Sequence, residues 1–297
     1  MRVHHVDCGT MCPFSARLIN GRGGWLERAR MVCHCLIVES KDGLVLVDTG
    51  LGTADVENPR GRLGGVFVAV THPRLSREQT ALAHVERLGF RREDVRHVVP
   101  THLDLDHAGG LSDFPDASVH VFEPELEAAL NPPTRAERER YRAAQFAHGP
   151  KWVRHPLQGD TWLGFDRVRV VGDDVALIPV VGHTRGHCAV AVRQGDGWLL
   201  HAGDAYFFHG EVDAENPRST PGLALFQRLA AVDDAARRKN QARLRDLARE
   251  HRATVRIFSA HDPLELDSWV QGERDHTGPA SEVTRREKEA SSAAARN

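Results

Sequence analysis

The chain has 297 residues, 41% of them apolar, and a formal net charge of −2. That length accommodates one large domain or two ordinary ones, and the near-neutral charge gives no electrostatic basis for binding nucleic acid or an anionic membrane. Five cysteines are an odd number for a disulfide framework and fit reduced thiols in a cytoplasm. The start, MRVHHVDCGT, carries no apolar signal core, and no run approaches the roughly 18 apolar residues of a membrane span, so the sequence reads as soluble and cytoplasmic.

In chain order, CHCLIVES and LVLVDTG are short β-rich runs, and Lys41-Asp42-Gly43 between them predicts a hairpin. In the first run, Cys33 and Cys35 fall on one face of a strand and His34 on the other, which reads as a buried strand rather than a metal clip. Ser76 with Gln79 forms a capping-box pattern before the apolar stripe Ala81, Leu82, Val85 and Leu88, so a helix of about three turns is expected, ending at Gly89. VRHVV (95–99) and ASVHVF (117–122) predict strands, and Pro124 opens a short helix through Leu130. Residues 134–148 are charged and helical, with Thr134 and Glu137 as a capping pair; they form either a flap over a site or a solvated helix.

From 168 to 206 the runs VRVV, VALIPVV, CAVAVR and WLLHAG predict strands joined by Asp and Gly turns. Asp233 to His251 predicts a helix burying Leu244, Leu247 and Ala248, and TVRIFS (254–259) a last strand. Two sheet-rich blocks, each followed by helices and with no linker between them, imply one domain over 1–270. The tail 271–297 is charged, lacks an apolar face and is expected to be disordered.

The densest chemistry is THLDLDHAGG (101–110). Its His102, Asp104 and Asp106 alternate as the chain leaves a strand, and His107 with Gly109-Gly110 behind it can turn into the same space. Converging imidazoles and carboxylates suit divalent transition metals. His183 follows LIPVVG, Asp204 follows WLLHAG, and His261 follows TVRIFSA, so isolated ligand-type residues recur at the ends of apolar strands. Solvation alone does not produce that recurrence.

The segments LVLVDTG, THLDLDHAGG, GHTRGH, HAGDA and SAHD, in this order, resemble the metallo-β-lactamase superfamily, and CHCLIVESKDGLVLVDTG with SAHDP is most similar to its N-acyl-homoserine lactonase branch. The resemblance implies an α/β fold, an αββα sandwich, with two adjacent divalent metal ions, zinc foremost, at one end of the sheets. It carries His102, Asp104 and His183 to the first metal, Asp106, His107 and His261 to the second, and Asp204 to both.

The family pattern His-x-His-x-Asp-His has Asp104 here in place of its second histidine. Three carboxylates with a bridging hydroxide would balance two divalent ions, weakening their pull on water and favouring iron or manganese at the Asp104 position. His187 reads as a structural histidine, and Asp48 of VDTG as a carboxylate that orients a ligand histidine or simply forms a turn. Lactonases place a catalytic tyrosine three residues after the bridging aspartate; here Phe207 stands there and Tyr206 precedes it, so Tyr206 is only a candidate to hold a substrate carbonyl.

The reaction implied is hydrolysis by a water held between two metals, with Asp106 as its proton acceptor. Trp25, Leu26, Phe67 and Val70 could form an acyl pocket, which suits a lactone or related carboxylic ester as the small-molecule substrate. The alternatives are a phosphoester or thioester hydrolase on the same scaffold, or an iron-binding redox or sensing protein. No nucleic-acid or membrane partner is expected, and a homodimer is left open.

Overall fold

A computed structural model describes residues 1–277 of the chain, without side-chain placement after Gln271. Its strands are β1 (Arg2–Asp7), β2 (Thr10–Met11), β3 (His34–Ser40), β4 (Gly43–Val47), β5 (Pro73–Arg74), β6 (Val95–Val99), β7 (Ser118–Phe122) and β8 (Lys151–His155). They are followed by β9 (Asp160–Trp162), β10 (Phe165–Val171), β11 (Val175–Pro179), β12 (Cys188–Gln194), β13 (Gly197–His201) and β14 (Val255–Phe258). One sheet runs β1-β3-β4-β6-β7-β8, a second runs β14-β13-β12-β11-β10-β9, and β2 pairs with β5 apart from both.

The layering follows from the two-residue period of the apolar strands. In β3, Leu36 and Val38 enter an inter-sheet core with Val45, Val47, Leu177, Val190 and Val192. Their neighbours Cys35 and Ile37 face the other way, onto Val85 of the helix Ala81–Arg87 and Leu126 of the helix Glu123–Leu130. In the second sheet Ala176, Ile178, Ala189 and Ala191 face Leu244 and Leu247 of the helix Asp234–Glu250. Each fully buried aliphatic side chain of this kind contributes roughly 1.5–3 kcal/mol. Both faces of both sheets are thereby covered, which makes the αββα sandwich.

The hairpin at Lys41–Asp42 forms as expected, pairing Ser40 with Gly43. The helix after it differs at its start. Thr80, not Ser76, caps it by accepting from the Ala83 N–H at 3.2 Å, while Ser76 bonds the Glu78 carboxylate and the intervening residues wind as a 3₁₀ turn. Two candidate caps four residues apart competed, and the one nearer the apolar stripe prevailed. Thr134 does cap its helix, accepting from Glu137 N, but that helix stops at Arg140 and a second turn, Ala143–Phe146, follows. The tail expected from 271 is helical as far as Thr277, within the helix Pro263–Thr277; the rest of it lies outside the described residues. Among the described residues, no helix is long and apolar enough to cross a membrane.

Candidate metal centre

Loops leaving β4, β6, β11, β13 and β14 meet at one edge of the sandwich and deliver Asp48, His102, His183, Asp204 and His261 respectively. The residues Leu105–Ala108 form a single helical turn, with Asp104 at its start and Asp106 and His107 within it, instead of an open loop. The turn is pressed against the segment after β4: a Cβ on Gly109 would lie 2.2 Å from Asp55 Oδ2, and one on Gly110 2.8 Å from the Thr49 carbonyl. Close approach, not a left-handed backbone, therefore requires both glycines.

The seven residues expected as ligands come together in two cradles. In the first, Asp104 Oδ2 lies 3.3 Å from His102 Nε2 and 3.1 Å from His183 Nε2, and Asp204 Oδ2 lies 3.3 Å from His183 Nε2. In the second, Asp204 Oδ1 lies 3.2 Å from His107 Nε2 and 3.0 Å from His261 Nε2, with Asp106 Oδ2 3.5 Å from His261 Nε2. Asp204 thus turns one oxygen to each cradle.

The hydrogen bonds behind the imidazoles decide which nitrogen faces inward. His261 Nδ1 donates to the Val32 carbonyl at 2.7 Å, and His107 Nδ1 donates to Asp48 Oδ2 at 2.8 Å, so both present a bare Nε2. Asp48 also accepts from the Thr101 N–H at 2.7 Å, and Thr101 Oγ1 lies 3.0 Å from His102 Nδ1. Burial alone would raise the Asp48 carboxyl, but His107 beside it holds it down to about 2. Asp48 thus orients the His107 ring and is more than a turn residue. It stands at φ 56°, a left-handed conformation that aspartate tolerates better than most residues.

His187 is structural, as expected: its Nε2 accepts the Asp204 N–H at 2.9 Å. Next to it Gly203, at φ 54°, leaves room for this contact, since a Cβ there would meet His187 Nε2 at 2.7 Å.

Buried carboxylates dominate the centre. Burial would raise Asp104 and Asp204, yet Arg140 and His102 hold the first, and His261 and His107 the second, well below the ordinary carboxylate range. Burial lowers His107 and His261, but Asp204 outweighs it and raises both. Two inward atoms, His102 Nε2 and Asp204 Oδ1, are buried without a hydrogen-bond partner. Converging imidazoles, ionised carboxylates and a partnerless buried oxygen fit divalent cations.

Of three further residues at the site, Arg140 and Glu125 carry no signal in the sequence, and Cys33 reads there as part of a buried strand and not as a metal clip. Arg140 places Nε 3.2 Å from Asp104 Oδ1 and donates from Nη1 to the His183 carbonyl at 2.8 Å, so it clamps the outer oxygen of the unusual carboxylate. Glu125 accepts from Leu103 N at 2.9 Å and from Gly186 N at 3.0 Å, tying the His102 loop to the His183 loop. Cys33 lies just before β3, so it does not share a sheet face with Cys35; its thiol comes within 4.8 Å of a carboxylate oxygen of Asp106 and a ring nitrogen of His261. The residues around 134–140 accordingly reach the site through Arg140 and are not merely solvated.

Tyr206 is not brought to the centre. It is fully buried in the core beneath Leu244, and its hydroxyl donates to Glu265 Oε1 at 2.8 Å. Phe207 faces the site instead, stacked on His261 at 5.0 Å between centroids. One residue of offset along an extended chain reverses the side chain's direction.

Above the cradles opens a cavity of about 740 Å³, whose floor includes Asp104, Asp106 and Asp204 and whose walls include Phe14, Phe67, Val70 and Phe226. Phe67 and Val70 were expected there. Trp25 and Leu26 were expected as well but do not line it; they are 65% and 89% exposed.

A profile of the metallo-beta-lactamase superfamily matches residues 28–261. A probable metallo-hydrolase of Mycobacterium tuberculosis is 43% identical over 89% of this chain and 81% of its own length. The N-acyl homoserine lactonase AttM of Rhizobium radiobacter is 32% identical over 91% of this chain and 95% of its own. A structure of B. thuringiensis AiiA with N-decanoyl-L-homoserine bound superposes with a TM-score of 0.65, at 23% identity, over 90% of this chain and 95% of that one. The fold, the order of the histidine and aspartate segments and the extent of these matches agree: this chain belongs to the metallo-beta-lactamase superfamily and is one of its metallo-hydrolases.

Proposed function

We propose that the protein hydrolyses lactones or closely related carboxylic esters bearing an apolar acyl chain, using two divalent metal ions, zinc foremost. The observation that carries this reading is Asp204, which addresses one oxygen to each of two imidazole-carboxylate cradles on the floor of an apolar cavity. His102, Asp104 and His183 would hold one ion and Asp106, His107 and His261 the other, with Asp204 shared. When bound, such a pair supplies a water made reactive near neutral pH and a Lewis acid for the carbonyl under attack.

The chain's own residues supply the rest. Phe67, Val70 and Phe226 take the acyl chain out of water, each buried methylene contributing about 0.8 kcal/mol. Asp106, at the cavity floor, accepts a proton from the attacking water at its carboxylate and returns it to the alkoxide that departs. Phe207 gives no hydroxyl to orient the substrate carbonyl; Arg140 and Arg142 bring guanidinium groups to the cavity lining. The likeness to lactonases such as AttM supports the substrate class.

Asp104 adds a hard oxygen donor to the first cradle, which broadens its tolerance toward iron or manganese. A panel of acyl lactones of graded chain length, aryl esters, thioesters and phosphodiesters, assayed with zinc-, iron- and manganese-loaded protein, tests the reading. Lactone turnover that rises with chain length is expected; preference for the phosphodiester or thioester would replace it.

A further inference from the structure

The residue nearest the second cradle that the metal reading leaves unused is Cys33. It is 2% exposed and belongs to an apolar cluster with Met11, Met31 and Phe207, whose partly buried rim includes Phe67 of the cavity wall. Its position is fixed from three sides. Its N–H donates to Asp7 Oδ1 at 3.1 Å, its carbonyl accepts from Cys8 N at 2.8 Å, and the preceding carbonyl, of Val32, receives His261 Nδ1. The peptide that orients His261 from behind therefore also carries a thiol within reach of the ring.

Cys33, Asp106 and His261 offer one sulfur, one oxygen and one nitrogen, all within 4.8 Å of one another. Adjacent donors on one zinc with bonds of about 2.0–2.3 Å stand about 3–3.5 Å apart, so closure onto an ion asks for a contraction of at most about 2 Å. The same His261 nitrogen is also faced by the carboxylate that the two cradles share. Asp204 Oδ1, buried and without a hydrogen-bond partner, lies 3.0 Å from the same His261 Nε2.

We propose that Cys33 is a thiolate ligand of the second metal ion, alongside Asp106 and His261. The inference rests on the two-metal reading above and deepens it. On binding, the thiol gives its proton to solvent and the sulfur takes a coordination position on the ion. The two cradles then differ in kind: the first carries the hard carboxylate of Asp104, the second a soft sulfur. Such a pair takes up unlike metals, with iron or manganese admitted to the first position and zinc held at the second.

Cobalt(II) separates the possibilities, because a thiolate on cobalt produces an intense near-ultraviolet charge-transfer band that nitrogen and oxygen ligands do not. Full-length protein loaded with two equivalents of cobalt is expected to show this band. Cys33→Ser should abolish it and weaken zinc binding at one of two sites on the order of tenfold or more, whereas Cys35→Ser should keep it. Two bound cobalt ions with visible bands and no charge transfer in the wild-type protein would overturn the thiolate and leave the two-metal reading standing. The band persisting in Cys33→Ser would overturn it equally. Failure of the wild-type protein to bind any cobalt or zinc would remove both readings. The wild-type spectrum is decisive by itself should the serine variant not fold.

Discussion

The two cradles share Asp204 and, through Thr101, the footing of Asp48, but their imidazoles are held differently. On the His107–His261 side, both imidazoles are pinned from behind by acceptors that cannot donate, the buried carboxylate of Asp48 and the carbonyl of Val32. On the His102–His183 side, His102 leans on the Thr101 hydroxyl, His183 Nδ1 has no hydrogen-bond partner, and Asp104 owes its placement to a guanidinium reaching in from another helix. The first arrangement leaves each ring one orientation. The second leaves its carboxylate and imidazole freer to adjust. A dinuclear centre can therefore be fixed at one end and tunable at the other, and substitutions at the two ends should differ in kind.

Removing what the cradles share should have the largest effect. Asp204→Ala is expected to release metal from both and cut hydrolysis roughly 10⁴-fold or more, since the reactive water goes with the ions; metal content and turnover measured together check it, and an active variant retaining two ions would make the shared carboxylate dispensable. Next comes the pinned end: Asp48→Asn should lower affinity at the second cradle by about 10–100-fold, because the amide can no longer hold the His107 Nδ1 proton as a charged acceptor does. Competition titration with a chelator reads this directly.

At the tunable end, Arg140→Gln should loosen the first cradle by about tenfold while sparing the second, with Arg140→Lys recovering part of the loss. Equal weakening of both sites would erase the distinction drawn between them.

The smallest effect concerns the footing beneath the pinned end. Glu265 receives the Tyr206 hydroxyl at 2.8 Å and the Ser259 N–H at 2.7 Å, two residues before His261. Burial, then the charge of Asp262, pushes its carboxyl up to about 7. A folded-state value above the unfolded one means a contribution to stability that is full below about pH 4.5 and lost as pH rises through 7. Relative to Glu265→Gln, the wild-type protein should lose about 2 kcal/mol between pH 5 and pH 8. Denaturant midpoints of both proteins at the two pH values test it; parallel curves would show Glu265 to be ionised throughout.

How much of this was legible beforehand follows a physical line. Strands such as LVLVDTG and CAVAVR announced themselves because a sheet covered on both faces needs apolar residues at every position. His102, His183, Asp204 and His261 of the cradles were legible because each stands just past such a strand. Arg140 and Glu125 were not: their work is done across gaps of 36 and 22 residues, to Asp104 and Leu103, and long charged side chains on helices look alike whether they meet solvent or a partner. The sequence leaves Tyr206 only a candidate because adjacent positions of an extended segment point oppositely, and it is the packing of Tyr206 against Glu265 that turns its hydroxyl away from the site. Cys33 was read with the strand that begins one residue later.

His102 and His107 come from the first half of the chain, and His183, Asp204 and His261 from the second. An ion held in either cradle would consequently be a fastener between distant stretches of polypeptide, stabilising only the closed arrangement and doing so by about 4 kcal/mol at a thousandfold excess over its dissociation constant. Metal starvation should then shorten the protein's lifetime as well as silence it, since the stripped chain opens more often and meets proteases more readily.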